Sequence, residues 1–112
     1  MPHGVILLKN YTFIIEVTEQ EIRCERLKAR ELRKSRWWQN RVAKGVCHWC
    51  GGLFQPAELC MDHIVPVIRG GKSAKGNVAP ACKGCNSRKK HMLPVEWDEY
   101  LESLRSEDVG EK

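Results

Sequence analysis

Four cysteines are spaced in a way that suits a tetrahedral metal ion. The segments 47–50 and 82–85 read C-H-W-C and C-K-G-C, so each places two thiols on one tight turn. Two such pairs supply four sulfur ligands, the closed set of a structural zinc site. A dithiol redox pair is the alternative for one pair, but two pairs in a short chain favour the metal. We therefore predict a structural Zn²⁺ bound by Cys47, Cys50, Cys82 and Cys85.

The polar residues between and just after the two pairs could carry hydrolytic chemistry. Cys50 and Cys82 are separated by 31 residues, whereas simple zinc ribbons have about 15–20. The insert contains Asp62, His63 and Asn77, and Asn86 directly follows the last cysteine. A neutral imidazole can accept a proton near pH 7, and carboxylate and amide oxygens bind hard divalent cations. Such a set could activate a water molecule beside a metal ion.

The neighbouring positions of Asp62 and His63 set a geometric requirement. Successive residues on a regular strand point to opposite faces. Both side chains can serve one site only if the strand ends or is distorted there, and we predict one of these. We also expect the carbonyl oxygen of Asn77 to hold the His63 ring in one tautomer.

These motifs carry a resemblance to a known family. The runs M-D-H-I-V-P at 61–66 and G-N-V-A-P-A-C-K-G-C-N at 76–86, with C-H-W-C upstream, resemble the HNH endonucleases of the ββα-metal class over residues 46–90. The resemblance implies that His63 is the general base and Asn77 the central asparagine. It also implies that Asp62 and Asn86 bind a catalytic Mg²⁺ or Mn²⁺. The third family position is often histidine, so Asn86 makes this chain an H-N-N variant.

The charge is concentrated in one segment. The chain has a net charge of +5, and residues 19–44 alone hold nine Lys or Arg against four Glu. A concentrated basic stripe suits a phosphate backbone, although a solvated helix with internal Glu–Arg pairs explains it equally well. Eight cations are candidate nucleic-acid contacts: Arg33, Arg36, Arg41, Arg69, Lys72, Arg88, Lys89 and Lys90.

The sequence predicts a single α+β domain in four parts. Residues 1–18 form N-terminal strands with a turn at Lys9 and Asn10. Residues 19–45 form one long basic helix, with Thr18 as N-cap and Gly45 as the C-terminal stop. Residues 46–93 form a ββα-metal core stapled by zinc, and residues 94–112 form a C-terminal helix and tail.

The predicted function is a metal-dependent DNA endonuclease that nicks duplex DNA. A zinc-stabilised nucleic-acid-binding module without catalysis is the first alternative, and a zinc-held protein-interaction domain is the second. The catalytic set separates the endonuclease from both alternatives, since a binding module needs no base and no second metal. We expect a cytoplasmic protein without membrane association, acting as a monomer or weak homodimer.

Overall fold

A computed structural model of the chain describes residues 5–8, 11–14 and 17–110, with side chains described for 17–105. The secondary structure in chain order is β1 (Val5–Leu8), β2 (Tyr11–Ile14), α1 (Glu19–Arg33), α2 (Arg36–Ala43), β3 (Leu59–His63), β4 (Val78–Cys82), α3 (Lys83–Lys89) and α4 (Pro94–Gly110). The fold is α+β, as predicted. None of the described helices is both long and apolar enough to cross a bilayer.

The ββα unit forms as the sequence predicts. Strands β3 and β4 pair antiparallel, with Asp62 opposite Ala79 and His63 opposite Val78. Helix α3 begins directly after β4, because the Cys82 sulfur accepts a hydrogen bond from the backbone N–H of Cys85 at 3.4 Å and caps the helix. Strand β3 ends at His63, which is the strand end that the adjacent Asp62 and His63 require.

Residues 64–77 form the long connection between β3 and β4, referred to below as the active-site loop. A Cβ on Gly71 would lie 1.7 Å from the carbonyl oxygen of Val65, so only glycine fits at this close approach. The side chain of Asn77 reaches back across the loop, accepting from the Val65 N–H and donating to the Val65 and Lys72 carbonyl oxygens. The loop is therefore held at both ends.

The basic segment is helical, but the prediction of one continuous helix over 19–45 is wrong. It forms two helices, because Ser35 is extended and its hydroxyl oxygen accepts from the Trp38 N–H at 3.2 Å, starting α2. The break turns Trp38 into the core, where it is only 4 % exposed. The outer ends follow the prediction: Thr18 caps α1, and Gly45 follows α2 with a φ of 69°.

The core lies between α2, the ββα unit and α4. Trp38, Val78 and Trp97 are among its buried residues, and α4 begins at Pro94, a favoured first helical position. Strands β1 and β2 pair antiparallel as predicted. The predicted turn at Lys9 and Asn10, like residues 111–112 of the tail, lies outside the described residues.

Candidate active site

The four paired cysteines converge into one cluster, referred to below as the cysteine cluster. Their sulfur atoms all lie within 4.8 Å of one another, and those of Cys50 and Cys82 are 4.0 Å apart. Zinc–sulfur bonds of about 2.3 Å give a tetrahedron with edges of about 3.8 Å. The cluster therefore fits zinc closely. Four protein ligands leave no open position, so this ion would be structural.

The thiols of the cysteine cluster have very different acidities. Burial by itself raises the pKa of Cys47, but backbone N–H donors, from Cys82 first, lower it to about 7. Burial and neighbouring sulfurs raise the pKa of Cys85 to about 12. The Cys85 thiol therefore does not ionise near neutral pH by itself. A bound cation would convert all four thiols to thiolates, as zinc does in closed sulfur sites.

A cavity of about 220 Å³ opens beside the end of β3 and is referred to below as the His63 cleft. Asp62, His63 and Asn86 all line it. Asp62 and His63 come from the end of β3 and Asn86 from the first turns of α3, so the ββα unit brings them together. The cleft thus joins three of the four residues predicted to carry the chemistry. Arg26, Lys90 and His91 also contribute to its walls.

The carboxylate of Asp62 is held by two donors. Its Oδ2 atom accepts from the indole N–H of Trp49 at 2.8 Å and lies 3.4 Å from Nζ of Lys89. Both partners use the same oxygen, and no described residue donates to Oδ1. Trp49 lies between two residues of the cysteine cluster, so this turn of the chain positions a donor to the carboxylate. One oxygen is fixed by its partners, and the other remains available as an acceptor.

The His63 ring is positioned by a residue of the active-site loop. Its Nε2 atom lies 2.9 Å from the hydroxyl oxygen of Ser73. Burial lowers the pKa of His63 below its usual value of about 6.5; Asp62 opposes this shift and Arg33 reinforces it. The ring is therefore neutral at pH 7 and can accept a proton.

The predicted contact between Asn77 and the His63 ring is not present. The Asn77 amide bonds to the backbone of Val65 and Lys72 instead. Its oxygen faces the Val65 N–H and its nitrogen donates to the two carbonyl oxygens, so its orientation is fixed by the loop and not by the His63 ring. Asn77 acts on the site by holding the active-site loop.

The comparison with protein families agrees with this geometry. Residues 47–101 match the family described as HNH endonuclease. This segment is an HNH endonuclease domain. It begins at the first residue of the cysteine cluster and ends within α4, so helices α1 and α2 precede it. A search of curated proteins found no match.

Two cations of the HNH domain that were predicted to contact nucleic acid are buried instead. Lys89 is fully buried, with Nζ 3.3 Å from the His63 carbonyl oxygen and 4.8 Å from the centre of the Trp49 ring. Arg69 is 9 % exposed, and its guanidinium donates to Glu96 and to the backbone oxygen of His91. The prediction is corrected for both, because a charge paired in the interior does not reach a phosphate.

The remaining predicted contacts are at the surface. Lys72, Arg88, Lys90, Arg33 and Arg36 are exposed, and Lys90 also lines the His63 cleft of the HNH domain. Arg41 lies with its guanidinium 5.2 Å from the centre of the Trp37 ring. All six keep the accessibility that a phosphate contact needs.

Two residues near the HNH site were missed by the sequence argument. Arg26 lies on α1, outside the matched segment, yet it lines the His63 cleft. Ser73 stood in a glycine-rich stretch that indicated only a loop. The spacing of arginines every three or four residues along α1 could have indicated that Arg26 belongs to the site. No local pattern indicated the same for Ser73.

Proposed function

We propose that this protein is a metal-dependent endonuclease that nicks duplex DNA, with His63 as the general base. One observation carries the proposal: a single cleft of the HNH domain contains a neutral imidazole, a carboxylate and an amide, contributed by His63, Asp62 and Asn86. A binding module has no need of this combination. A chain whose described residues form one such set is expected to cut one strand at a time.

The donor set fits a hard divalent cation. Asp62 offers its free Oδ1, and Asn86 offers an amide oxygen from the same cleft; these are ligand types that Mg²⁺ and Mn²⁺ accept. When bound, the ion would neutralise charge on the phosphate and favour departure of the leaving oxygen. The fixed Oδ2 of Asp62 keeps the carboxylate from turning away.

The chain's own residues account for the proton transfer. His63 takes one proton from a water molecule as the water oxygen forms a new bond to phosphorus. The bond from phosphorus to the bridging oxygen breaks, and that oxygen takes a proton from solvent. His63 then returns its proton to water. The products are one phosphate monoester and one hydroxyl, and the protein is unchanged.

A row of arginines on α1 supports a nucleic-acid backbone as the substrate. Four exposed arginines follow one face at intervals of three or four residues, and we refer to them as the arginine row: Arg23, Arg26, Arg30 and Arg33. No ion pair among the described residues uses them, whereas Lys28 and Lys34 pair with Glu25 and Glu31. The row spans about 15 Å, which equals about four nucleotides of a strand. Arg26, an inner member of the row, lines the cleft.

Loss of one arginine of the row is expected to weaken binding independently of sequence. In Arg30→Ala, the plot of log binding constant against log salt concentration should lose about one unit of slope. Lys34→Ala is the matched control, because Lys34 is the C-cap residue of the same helix but pairs with Glu31, and its slope should stay unchanged. Binding to a labelled duplex would be measured in the His63→Ala background without added Mg²⁺. Equal slopes for both variants would remove the row from the interface.

Asn86 is expected to restrict the metal that supports cleavage. An imidazole at this position binds softer ions such as Ni²⁺ and Zn²⁺ better than an amide oxygen does. Asn86→His should therefore retain cleavage with Mn²⁺ and gain cleavage with Ni²⁺ relative to the wild type. Rates would be compared across Mg²⁺, Mn²⁺ and Ni²⁺ at equal concentration. An unchanged metal order would exclude Asn86 from the metal site.

The substrate class is tested by offering different nucleic acids to one preparation. Zinc-loaded protein would be incubated with labelled duplex DNA, single-stranded DNA and duplex RNA, with and without Mg²⁺. We expect Mg²⁺-dependent cuts in the DNA duplex, predominantly in one strand of each molecule. Binding of all three without any cut would favour the zinc-stabilised binding module instead.

A further inference from the structure

We propose that Ser73 and Glu25 are positioning residues, which hold the His63 ring with its hydrogen on Nε2 and so make Nδ1 the basic nitrogen. The inference rests on the proposed function for the role of His63, but the tautomer itself follows from the hydrogen bonds alone. Neither residue belongs to the predicted catalytic set. Glu25 lies on α1, outside the segment that matches the HNH family.

Three hydrogen bonds join helix α1 to the His63 ring through Ser73. The Ser73 N–H donates to Oε1 of Glu25 at 2.6 Å, and its hydroxyl donates to the backbone oxygen of Glu25 at 2.5 Å. The same hydroxyl oxygen lies 2.9 Å from Nε2 of His63. Glu25 is only 6 % exposed, and the N–H of Ser73 holds the pKa of this carboxyl below its usual value. The partner that fixes the serine is thus buried and charged.

The donor and acceptor roles follow from the number of hydrogens available. A backbone carbonyl oxygen only accepts, so the single hydroxyl hydrogen of Ser73 must point to Glu25. The hydroxyl oxygen then meets His63 with a lone pair, and Nε2 must carry the hydrogen. In a neutral imidazole the other nitrogen, Nδ1, is left with the lone pair. The ring can therefore take a proton from water only at Nδ1.

This arrangement gives α1 a second role beside the arginine row. The helix carries Glu25 among its exposed arginines, so the element that would contact the phosphate backbone also fixes the general base. Glu25 and Ser73 are 48 residues apart, and their contact docks α1 on the active-site loop. The HNH segment by itself lacks this partner for His63.

The tautomer can be read directly by ¹⁵N NMR of the histidine rings in the full-length, zinc-loaded protein. The wild type is expected to show His63 with a protonated Nε2 and a bare Nδ1. Ser73→Ala should shift the ring toward a mixture of both tautomers, while Ser73→Thr retains a hydroxyl and should preserve the wild-type pattern. A protonated Nδ1 in the wild type would overturn the assignment whether or not the protein cuts DNA.

Cleavage kinetics of the same variants test whether the position matters to catalysis. Residues that orient the ligands of a metal site typically contribute about 10- to 100-fold to activity; we expect a similar factor for a residue that orients the general base, so Ser73→Ala should lower kcat by about that much with KM little changed. Ser73→Thr should recover most of kcat. Zinc content and the thermal midpoint would be compared to show that each variant folds. A normal kcat in Ser73→Ala would overturn the positioning role.

The positioning role of Glu25 is tested by two substitutions, only one of which keeps a side-chain acceptor for the Ser73 N–H. Glu25→Gln keeps an oxygen for the Ser73 N–H and the backbone acceptor, so it should retain the wild-type tautomer. Glu25→Ala removes the side-chain acceptor and should reproduce part of the Ser73→Ala effect. If the wild type shows the expected NMR pattern but neither it nor any variant cuts DNA, the proposed function fails and the tautomer assignment stands. Identical NMR patterns in Glu25→Ala and wild type would remove Glu25 from the proposal.

Discussion

Replacing His63 by alanine is expected to lower the single-turnover rate of DNA cleavage by about 10²- to 10⁴-fold, the usual contribution of a general base. His63 is the neutral imidazole in the cleft that also contains Asp62 and Asn86. Its one described side-chain hydrogen bond is with Ser73, so its removal should leave folding and zinc content unchanged. The rate would be measured with excess protein over an end-labelled duplex in Mg²⁺.

His91→Ala is the matched control for this substitution. His91 also lines the His63 cleft, but its side chain is exposed and the contact it makes with Arg69 is through its backbone oxygen. Its loss should change the rate by no more than a few-fold. A large loss in His91→Ala with a normal rate in His63→Ala would transfer the role of base from one histidine to the other.

Loss of one thiol from the cysteine cluster is expected to abolish cooperative folding. In Cys85→Ser the chain loses a predicted zinc ligand that is completely buried. Structural zinc contributes about 10–16 kcal/mol of apparent binding free energy, comparable to the whole stability of a typical domain, about 5–15 kcal/mol. Thermal unfolding followed by circular dichroism, together with zinc analysis, should show loss of both the transition and the metal.

Cys24→Ser provides the control for general effects of losing a thiol. Cys24 is exposed on α1 and lies outside the cysteine cluster. This variant should bind one zinc ion and unfold at the wild-type temperature. A Cys85→Ser protein that unfolds like the wild type with zinc still bound would show that the cluster does not need all four sulfurs.

The cysteine cluster and the His63 cleft are connected through one side chain. Trp49 lies between Cys47 and Cys50 of the cluster and donates its indole N–H to Asp62. It also packs against Trp97 of α4, with ring centres 5.8 Å apart. A metal ion in the cluster would therefore fix a core tryptophan that in turn fixes the carboxylate proposed to take part in catalysis.

The parts of the site that depend on local spacing could be predicted from the sequence. Two C-x-x-C pairs define the cysteine cluster, and the adjacent Asp62 and His63 demanded the strand end that β3 shows. The assignment of Asn86 came from the family resemblance, in which the third position directly follows the last cysteine. Each cysteine pair and the strand end depend on residues within a few positions of each other, where backbone geometry leaves few alternatives.

The features that were missed depend on contacts between distant residues. Lys89 looked like one more cation in a basic run, but packing beneath Asp62 and Trp49 buries it completely. The contact of Ser73 with Glu25 joins residues 48 positions apart, and no periodicity encodes it. The break at Ser35 is a local signal, since serine is a good N-cap, but the surrounding basic pattern favoured a continuous helix.

Nicking of supercoiled plasmid is the decisive measurement for hydrolysis of DNA by the His63 cleft with a divalent metal. Wild type and His63→Ala, prepared with equal zinc content, would be incubated with plasmid and Mg²⁺, and the wild type also with EDTA for a time too short to remove zinc. We expect relaxed circles with the wild type in Mg²⁺ alone. Folded, zinc-loaded wild type that leaves the plasmid supercoiled in Mg²⁺, Mn²⁺ and Ni²⁺, or nicking that persists in His63→Ala, would contradict this proposal.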